Sequence, residues 1–152
     1  MAKKILIVCC GYPYQSDRRF GYEIAKKLET IQLPENVEVM EVGESACMMP
    51  STIAEADKVI FIDTFQTKDS PGTVVRLKTS EVPVTIDGLT DIPKHHLVRE
   101  CLHGLIVTGQ CPDVIFIGVV PKDIETETHQ LTPEIEKKIP DVIDMILAEI
   151  DK

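Results

Sequence analysis

The sequence predicts an α/β fold in which a mostly parallel sheet is covered by helices on both faces. Short apolar runs rich in Val and Ile recur along the chain, and stretches with the spacing of amphipathic helices separate them. This alternation is typical of βαβ units, whose crossover helices cover the sheet. With 152 residues, 43% of them hydrophobic, the chain can form a substantial core, and we assign residues 1–152 to a single domain.

Five strands are predicted. Four of them are the apolar runs at residues 4–9, 37–42, 59–63 and 114–120. Each run is short and β-branched, as expected of strands buried on both faces. The turn Ser70-Pro71-Gly72-Thr73 precedes a weaker run at residues 74–78. We predict that this run forms an antiparallel strand at an edge of the sheet.

Four helices are predicted between and after the strands. They cover residues from about 17 to 33, 46 to 56, 95 to 107 and 133 to 150. The inward stripe of the first helix is Phe20, Ile24, Lys27 and Leu28. The last helix begins with Thr132 as a hydroxyl cap and Pro133 at the first position, and acidic residues follow in its first turn. Its continuous apolar face predicts a helix docked on the sheet.

Charge and cysteine usage exclude several classes of protein. The chain has 25 acidic and 16 basic residues, a formal charge of -9 that disfavours nucleic acid and anionic membranes as partners. Five cysteines occur without a Cys-x-x-Cys pair, which indicates reduced and mostly buried thiols. Because no apolar run approaches the roughly 18 residues that a spanning helix needs, we expect a cytoplasmic protein.

The residues that follow each strand are the first candidates for a site, because ligands of open α/β sheets bind beyond the carboxyl ends of the strands. Asp63 closes the third apolar run, so it is either a crevice ligand or the acceptor of a cap or loop hydrogen bond. His95 and His96 begin the third predicted helix and are either metal ligands or surface residues. Cys9 and Cys10 end the first strand, but no neighbouring base is evident, which favours a role in the core.

Arg18 and Arg19 are unusual at the start of the first predicted helix. Positive charge there opposes the helix dipole by about 0.3 to 1 kcal/mol each. Asp17, the crevice acids or an anionic partner could compensate, or both side chains reach into solvent. The motifs of dinucleotide-binding, P-loop, esterase and zinc-protease sites are missing from the sequence.

With these residues in view, the chain resembles the hydrogenase maturation endopeptidases, the proteases that trim the C-terminus of the large subunit of nickel-iron hydrogenases. Residues 11–21 match the family pattern Gly-Asn-x-x-x-x-Asp-Asp/Glu-x-x-Gly, although Tyr12 replaces the Asn. Residues 62–64 match the Asp-Ala segment of the family. Further matches, in the same order as in the family, are residues 37–44, 71–73, 117–121 and 131–136.

The resemblance implies a three-layer α/β sandwich of the phosphorylase/hydrolase-like kind, with a central, twisted and mostly parallel sheet. It implies an aspartic-type endopeptidase that removes the C-terminal extension of a hydrogenase large-subunit precursor after nickel insertion. Nickel is then a recognition feature of the precursor, and no cofactor is permanently bound. In the family a Glu near the first helix, an Asp after strand three and a His of a later helix hold that metal, ligands that suit such a divalent ion.

Carried over residue by residue, the resemblance implies Asp17, Asp63 and His95 as catalytic residues. Asp63 and His95 are the implied metal ligands, with His96 as the alternative. Asp17 matches the acid next to the expected Glu and is expected at the rim of the crevice. Arg18 occupies the position of that Glu. His95 reaches its position only with a one-residue deletion in the alignment.

Arg18 changes the implied chemistry, because a guanidinium stays protonated and repels a divalent cation. Either Glu44 or Asp17 completes the ligand set, or the chain does not use nickel as its relatives do. The alternative function is a non-catalytic homologue that holds the precursor tail through Arg18, Arg19 and Lys94. A small-molecule hydrolase is a third hypothesis, supported by the fold class alone.

Overall fold

A computed structural model describes residues 3–43, 50–66, 68–78 and 104–152. The strands are β1 (Ile5–Cys10), β2 (Val37–Gly43), β3 (Lys58–Thr64), β4 (Val74–Lys78) and β5 (Asp113–Val119). They form one sheet in the order β2-β1-β3-β5-β4. β4 runs antiparallel to β5 at the edge, and the other neighbours are parallel. This confirms the predicted mostly parallel sheet and its antiparallel edge strand.

The helices are α1 (Phe20–Glu29), α2 (Pro50–Glu55), α3 (Pro133–Glu136) and α4 (Ile139–Ile150), and residues 104–107 are also helical. A 3-10 helix, Ser16–Arg19, precedes α1, so the α-helix begins later than predicted. The last predicted helix is in fact two, α3 and α4. Pro140 explains the break, because it has no N–H to donate to the carbonyl one turn earlier. Proline is therefore tolerated only in the first turn of a helix, which is where Pro140 lies in α4.

Helices cover both faces of the sheet and bury two clusters of apolar side chains. On one face, residues of α1 and α4 such as Ile24 and Ile146 pack on alternate strand residues such as Ile7 and Ile60. On the other face, Ile53 of α2 packs with Phe61, Phe116 and Leu105, which fixes the three-layer arrangement. Lys27 is exposed rather than inward, because Gly21 and Ala25 complete the buried face of α1. Within the described residues, no helix is long and apolar enough to cross a membrane.

The C-terminal helix is fixed by an ion cluster around Glu149, whose side chain is 1% exposed. Lys58 of β3 donates to Glu149 Oε2 at 2.9 Å and to its carbonyl at 2.9 Å. Arg76 Nε of β4 donates to Oε1 at 2.6 Å, and Lys152 Nζ lies 3.1 Å from the same oxygen. Burial raises the pKa of Glu149, but the hydrogen bonds from these three cations outweigh it and lower the pKa from its usual 4.5 to about 2.

We expect this cluster to make stability depend on pH in acid. Because the pKa of Glu149 is lower in the folded state, its ionised carboxylate contributes its full stabilisation of the fold above pH 4.5. This stabilisation is lost as the pH falls toward 2. At pH 7, the free energy of unfolding of Glu149→Gln should therefore lie about 2 to 3 kcal/mol below that of the wild type. Urea unfolding at several pH values checks this, with the exposed Asp144→Asn of the same helix as control. A gap between wild type and Glu149→Gln that persists unchanged at pH 2 would contradict the account.

Candidate functional site

Asp63 lies at the carboxyl end of β3, where the crevice of an open parallel sheet is expected. The residue is 6% exposed. Its Oδ1 accepts a hydrogen bond from the Thr64 N–H at 2.7 Å, which holds the carboxylate at the end of the strand. The same oxygen lies 3.5 Å from where a Cβ would stand on Gly11, at the end of the neighbouring strand β1. A carboxylate thus lies beside the loop that connects β1 to α1.

Two glycines allow that loop to fold tightly onto the strand ends. Gly11 has φ +136°, and a Cβ there would lie 2.2 Å from the carbonyl oxygen of Arg18. The Tyr12 N–H donates to the same carbonyl at 2.9 Å. A Cβ on Gly21 would lie 1.8 Å from the Cys10 carbonyl oxygen. Only glycine at position 21 therefore lets α1 approach β1 this closely. These contacts bring the main chain at Arg18 next to Asp63.

Asp17 lies in the interior, with 0% exposure, and this corrects its predicted place at the rim of the crevice. Its Oδ2 accepts from the N–H groups of Lys122 and Asp123, both at 2.9 Å. Its Oδ1 accepts from the Thr132 N–H at 2.8 Å and from the Thr132 hydroxyl at 2.9 Å. The hydroxyl of Thr132 therefore binds Asp17 and does not cap α3, contrary to the prediction. Asp17 fastens the segment of residues 121–132, the β5–α3 loop, to the β1–α1 loop.

Arg18 and Arg19 have partners other than Asp17. This corrects the suggestion that Asp17 compensates their positive charge at the start of the helix. Arg18 Nη1 donates to Gln15 Oε1 at 2.6 Å, and its guanidinium lies 5.6 Å from the centre of the Tyr12 ring. Arg19 Nε donates to Glu23 Oε1 at 2.5 Å, and Arg19 Nη1 donates to the Pro13 carbonyl at 3.0 Å. Both cations are thus fixed beside the first loop and not extended into solvent.

The two thiols at the end of β1 are unsuited to nucleophilic attack. Burial, and to a smaller extent the nearby carboxylates of Glu41 and Asp63, together raise the pKa of Cys9 to about 12. Burial and then Asp63 also raise the pKa of Cys10. Because the thiolate is the reactive form, both cysteines are protonated at neutral pH. This agrees with the sequence-based preference for a role in the core.

The other predicted site residues, Lys94, His95, His96 and Glu44, lie outside the described residues. Their distances to Asp63 therefore stay predictions. Within the described ranges, no group of three or more His, Cys, Asp or Glu side chains could hold a metal ion. Asp63 is thus the part of the predicted metal-contacting set that the structure places.

One feature near the site was missed in the sequence, namely an aromatic cluster formed by the two loops. The rings of Tyr12 and Tyr14 lie 5.5 Å apart between centres, in an edge-to-face arrangement. The ring centre of His129, in the β5–α3 loop, lies 4.9 Å from that of Tyr14. Gln15 and Thr128 form a bridge that joins the loops. More than 110 residues separate these partners, so local sequence carries no signal for the contact.

Comparisons with known proteins point to one family. A family model described as hydrogenase maturation protease matches residues 22–149. The Hydrogenase 2 maturation protease of Escherichia coli is 29% identical, over 97% of this chain and 90% of that protein. The coenzyme F420 hydrogenase subunit delta of Methanothermobacter thermautotrophicus is 31% identical, over 97% of this chain and 94% of that protein.

A solved structure shows the same fold. The hydrogenase maturating endopeptidase HybD from E. coli superposes with a TM-score of 0.87 at 27% identity, covering 97% of this chain and 92% of that one. The match of the family model to most of the chain, together with this superposition, shows that the protein belongs to the hydrogenase maturation protease family.

Proposed function

We propose that this protein is an endopeptidase that removes the C-terminal extension of a nickel-iron hydrogenase large-subunit precursor after nickel insertion. The observation that carries the proposal is the place of Asp63 at the carboxyl edge of the sheet, in a chain of the hydrogenase maturation protease family. The similar E. coli proteins, a Hydrogenase 2 maturation protease and the maturating endopeptidase HybD, support the class of reaction. Nickel enters as part of the precursor, and no permanently bound cofactor is proposed.

The proposal gives the residues separate roles. Asp63 contacts the nickel of the precursor through its carboxylate, and His95, with His96 as the alternative, supplies an imidazole. Oxygen and imidazole ligands suit a divalent ion of this kind, and contact with the metal would test cofactor insertion before a peptide bond is cut. Asp17, whose carboxylate is fully used in hydrogen bonds to the β5–α3 loop, acts as a positioning residue.

The proposal is tested by incubating the purified protein with nickel-loaded precursor and measuring the mass of the precursor. The expected result is a shorter large subunit together with a free C-terminal peptide. Heat-denatured protein serves as the control for contaminating proteases. An unchanged mass with a precursor that a known maturation protease cleaves would reject the proposal.

The second candidate function is a non-catalytic homologue that holds the precursor tail, and Arg18 is the observation that favours it. Its guanidinium is fixed by Gln15 and Tyr12 at the position where the family has a metal-binding Glu. A fixed cation there repels a divalent metal and attracts an anionic segment. Under this function, the protein binds the tail and leaves its length unchanged.

A nickel titration of Arg18→Glu separates the two functions. If the site contacts nickel, replacing a cation by a carboxylate should tighten binding of free nickel by about tenfold or more. Isothermal titration calorimetry of wild type and variant measures this. Lys27→Glu makes the same change of charge at an exposed position of α1 and should leave nickel binding unchanged. Weaker binding of the precursor tail to Arg18→Glu, with no gain in nickel affinity, would instead support the tail-holding function.

A further inference from the structure

A pocket of about 350 Å³ opens beside the site, between the β1–α1 and β5–α3 loops. It is lined by Tyr12, Tyr14, Gln15, Glu127, Thr128 and His129. Tyr12 directly follows Gly11, which borders the Asp63 carboxylate, so the pocket begins one residue from the proposed site. A peptide lying in the crevice at Asp63 can therefore place a neighbouring side chain in the pocket.

The walls of this pocket are held in place by the main chain. The Thr128 N–H donates to the Tyr14 carbonyl at 3.1 Å, and the Ser16 N–H donates to the Thr128 carbonyl at 3.2 Å. The ring of Tyr14 lies between those of Tyr12 and His129. Nevertheless Tyr14 is 52% exposed and Tyr12 is 39% exposed. Two fixed aromatic rings that keep so much surface open to solvent indicate a surface for binding.

The charge of the pocket points to the class of ligand. Glu127 is exposed, and no residue of the described ranges forms an ion pair with its carboxylate. Arg18 lies over Tyr12, whereas no described cation lies over the ring of Tyr14. An aromatic face and a carboxylate that line the same pocket both attract a cation, and a planar guanidinium stacks on an aromatic ring particularly well.

We propose that this pocket binds a cationic side chain of the substrate peptide, with arginine preferred over lysine. The inference rests on the proposed function, because the pocket binds a substrate side chain only if the neighbouring crevice at Asp63 holds the peptide that is cleaved. In the bound state the guanidinium stacks on Tyr14 and pairs with Glu127, while Asp63 remains at the crevice. The pocket then fixes the register of the peptide relative to Asp63.

The test uses blocked single amino acids as probes, so it does not depend on cleavage. Acetyl-arginine methylamide is titrated into labelled protein while the amide and ring signals of residues 12–15 and 127–129 are followed by NMR. Acetyl-citrulline methylamide has nearly the same shape without the charge, and the lysine analogue tests the preferred cation. We expect saturable shifts with arginine, weaker binding of lysine and at least about fivefold weaker binding of citrulline.

Variants show whether Glu127 supplies the charge. Glu127→Gln should weaken arginine binding by about three- to tenfold, while Glu125→Gln, an exposed neighbour that does not line the pocket, should leave it unchanged. Equal binding of arginine and citrulline, or equal losses in the two variants, would overturn the proposal. A lysine analogue that binds more tightly than arginine would overturn the preference for a guanidinium.

Cleavage assays separate this proposal from the proposed function. If the precursor is cleaved, Glu127→Gln should raise KM by a similar factor with kcat nearly unchanged. If arginine binds as described but no precursor is cut, the pocket is retained and the peptidase is rejected. If the precursor is cut but arginine produces no saturable shift, the peptidase is retained and the pocket is rejected.

Discussion

Asp63→Asn should cleave the precursor on the order of a hundred- to a thousandfold more slowly than the wild type. The amide oxygen of Asn can still accept the hydrogen bond from the Thr64 N–H, so the end of β3 keeps its local geometry. The variant loses the negative charge, and one of the two acceptor oxygens, through which the carboxylate would contact nickel. Initial rates, read from the mass of the precursor against time, measure the effect.

The matched control for this variant is Asp113→Asn, which removes one carboxylate at the opposite, amino end of β5. Asp113 is exposed, and its variant should cleave the precursor at the wild-type rate. Thermal unfolding of both variants should stay close to that of the wild type, which separates loss of chemistry from loss of fold. An Asp63→Asn protein that keeps more than half of the wild-type rate would contradict the role given to this carboxylate.

Asp17→Ala should lower the free energy of unfolding by about 3 to 5 kcal/mol. The substitution removes the acceptor of four hydrogen bonds. The donors are the N–H groups of Lys122, Asp123 and Thr132 and the hydroxyl of Thr132. Since Asp17 is fully buried, water reaches these donors only if the loops separate. Urea unfolding measures the loss, and faster hydrogen exchange of residues 122–132 should accompany it.

Glu125→Ala is the control for the Asp17 prediction. It removes a carboxylate from the same β5–α3 loop, but from an exposed side chain, so its effect should stay within about 0.5 kcal/mol. A loss below about 1 kcal/mol in Asp17→Ala would show that the two loops are held together by other contacts.

The sheet could be predicted from the sequence because its determinants are local. β-branched runs of strand length marked β1, β2, β3 and β5. The turn before β4, in which the Thr73 N–H donates to the Ser70 carbonyl at 3.1 Å, indicated a reversal of direction. The break between α3 and α4 could also have been predicted, since Pro140 lies within the apolar pattern of the last helix.

The site was predictable only in part. Asp63 follows an uninterrupted buried run, and in a parallel sheet that alone places it at the carboxyl edge. Asp17 has partners 105 or more residues away, so nothing near it in sequence indicates that its carboxylate faces the interior. The partner of Arg19 could have been predicted from the sequence, because Glu23 lies four residues later in the chain, the spacing of neighbours on one helix face.

Whether the protein cleaves its precursor only after nickel insertion is tested most directly with nickel-loaded and nickel-free precursor, each incubated with the wild-type protein and examined by mass spectrometry. We expect that only the nickel-loaded form loses its C-terminal extension, and that adding nickel to the apo form together with its insertion machinery restores cleavage. Shortening of both forms at equal rates, or of neither, would contradict this expectation.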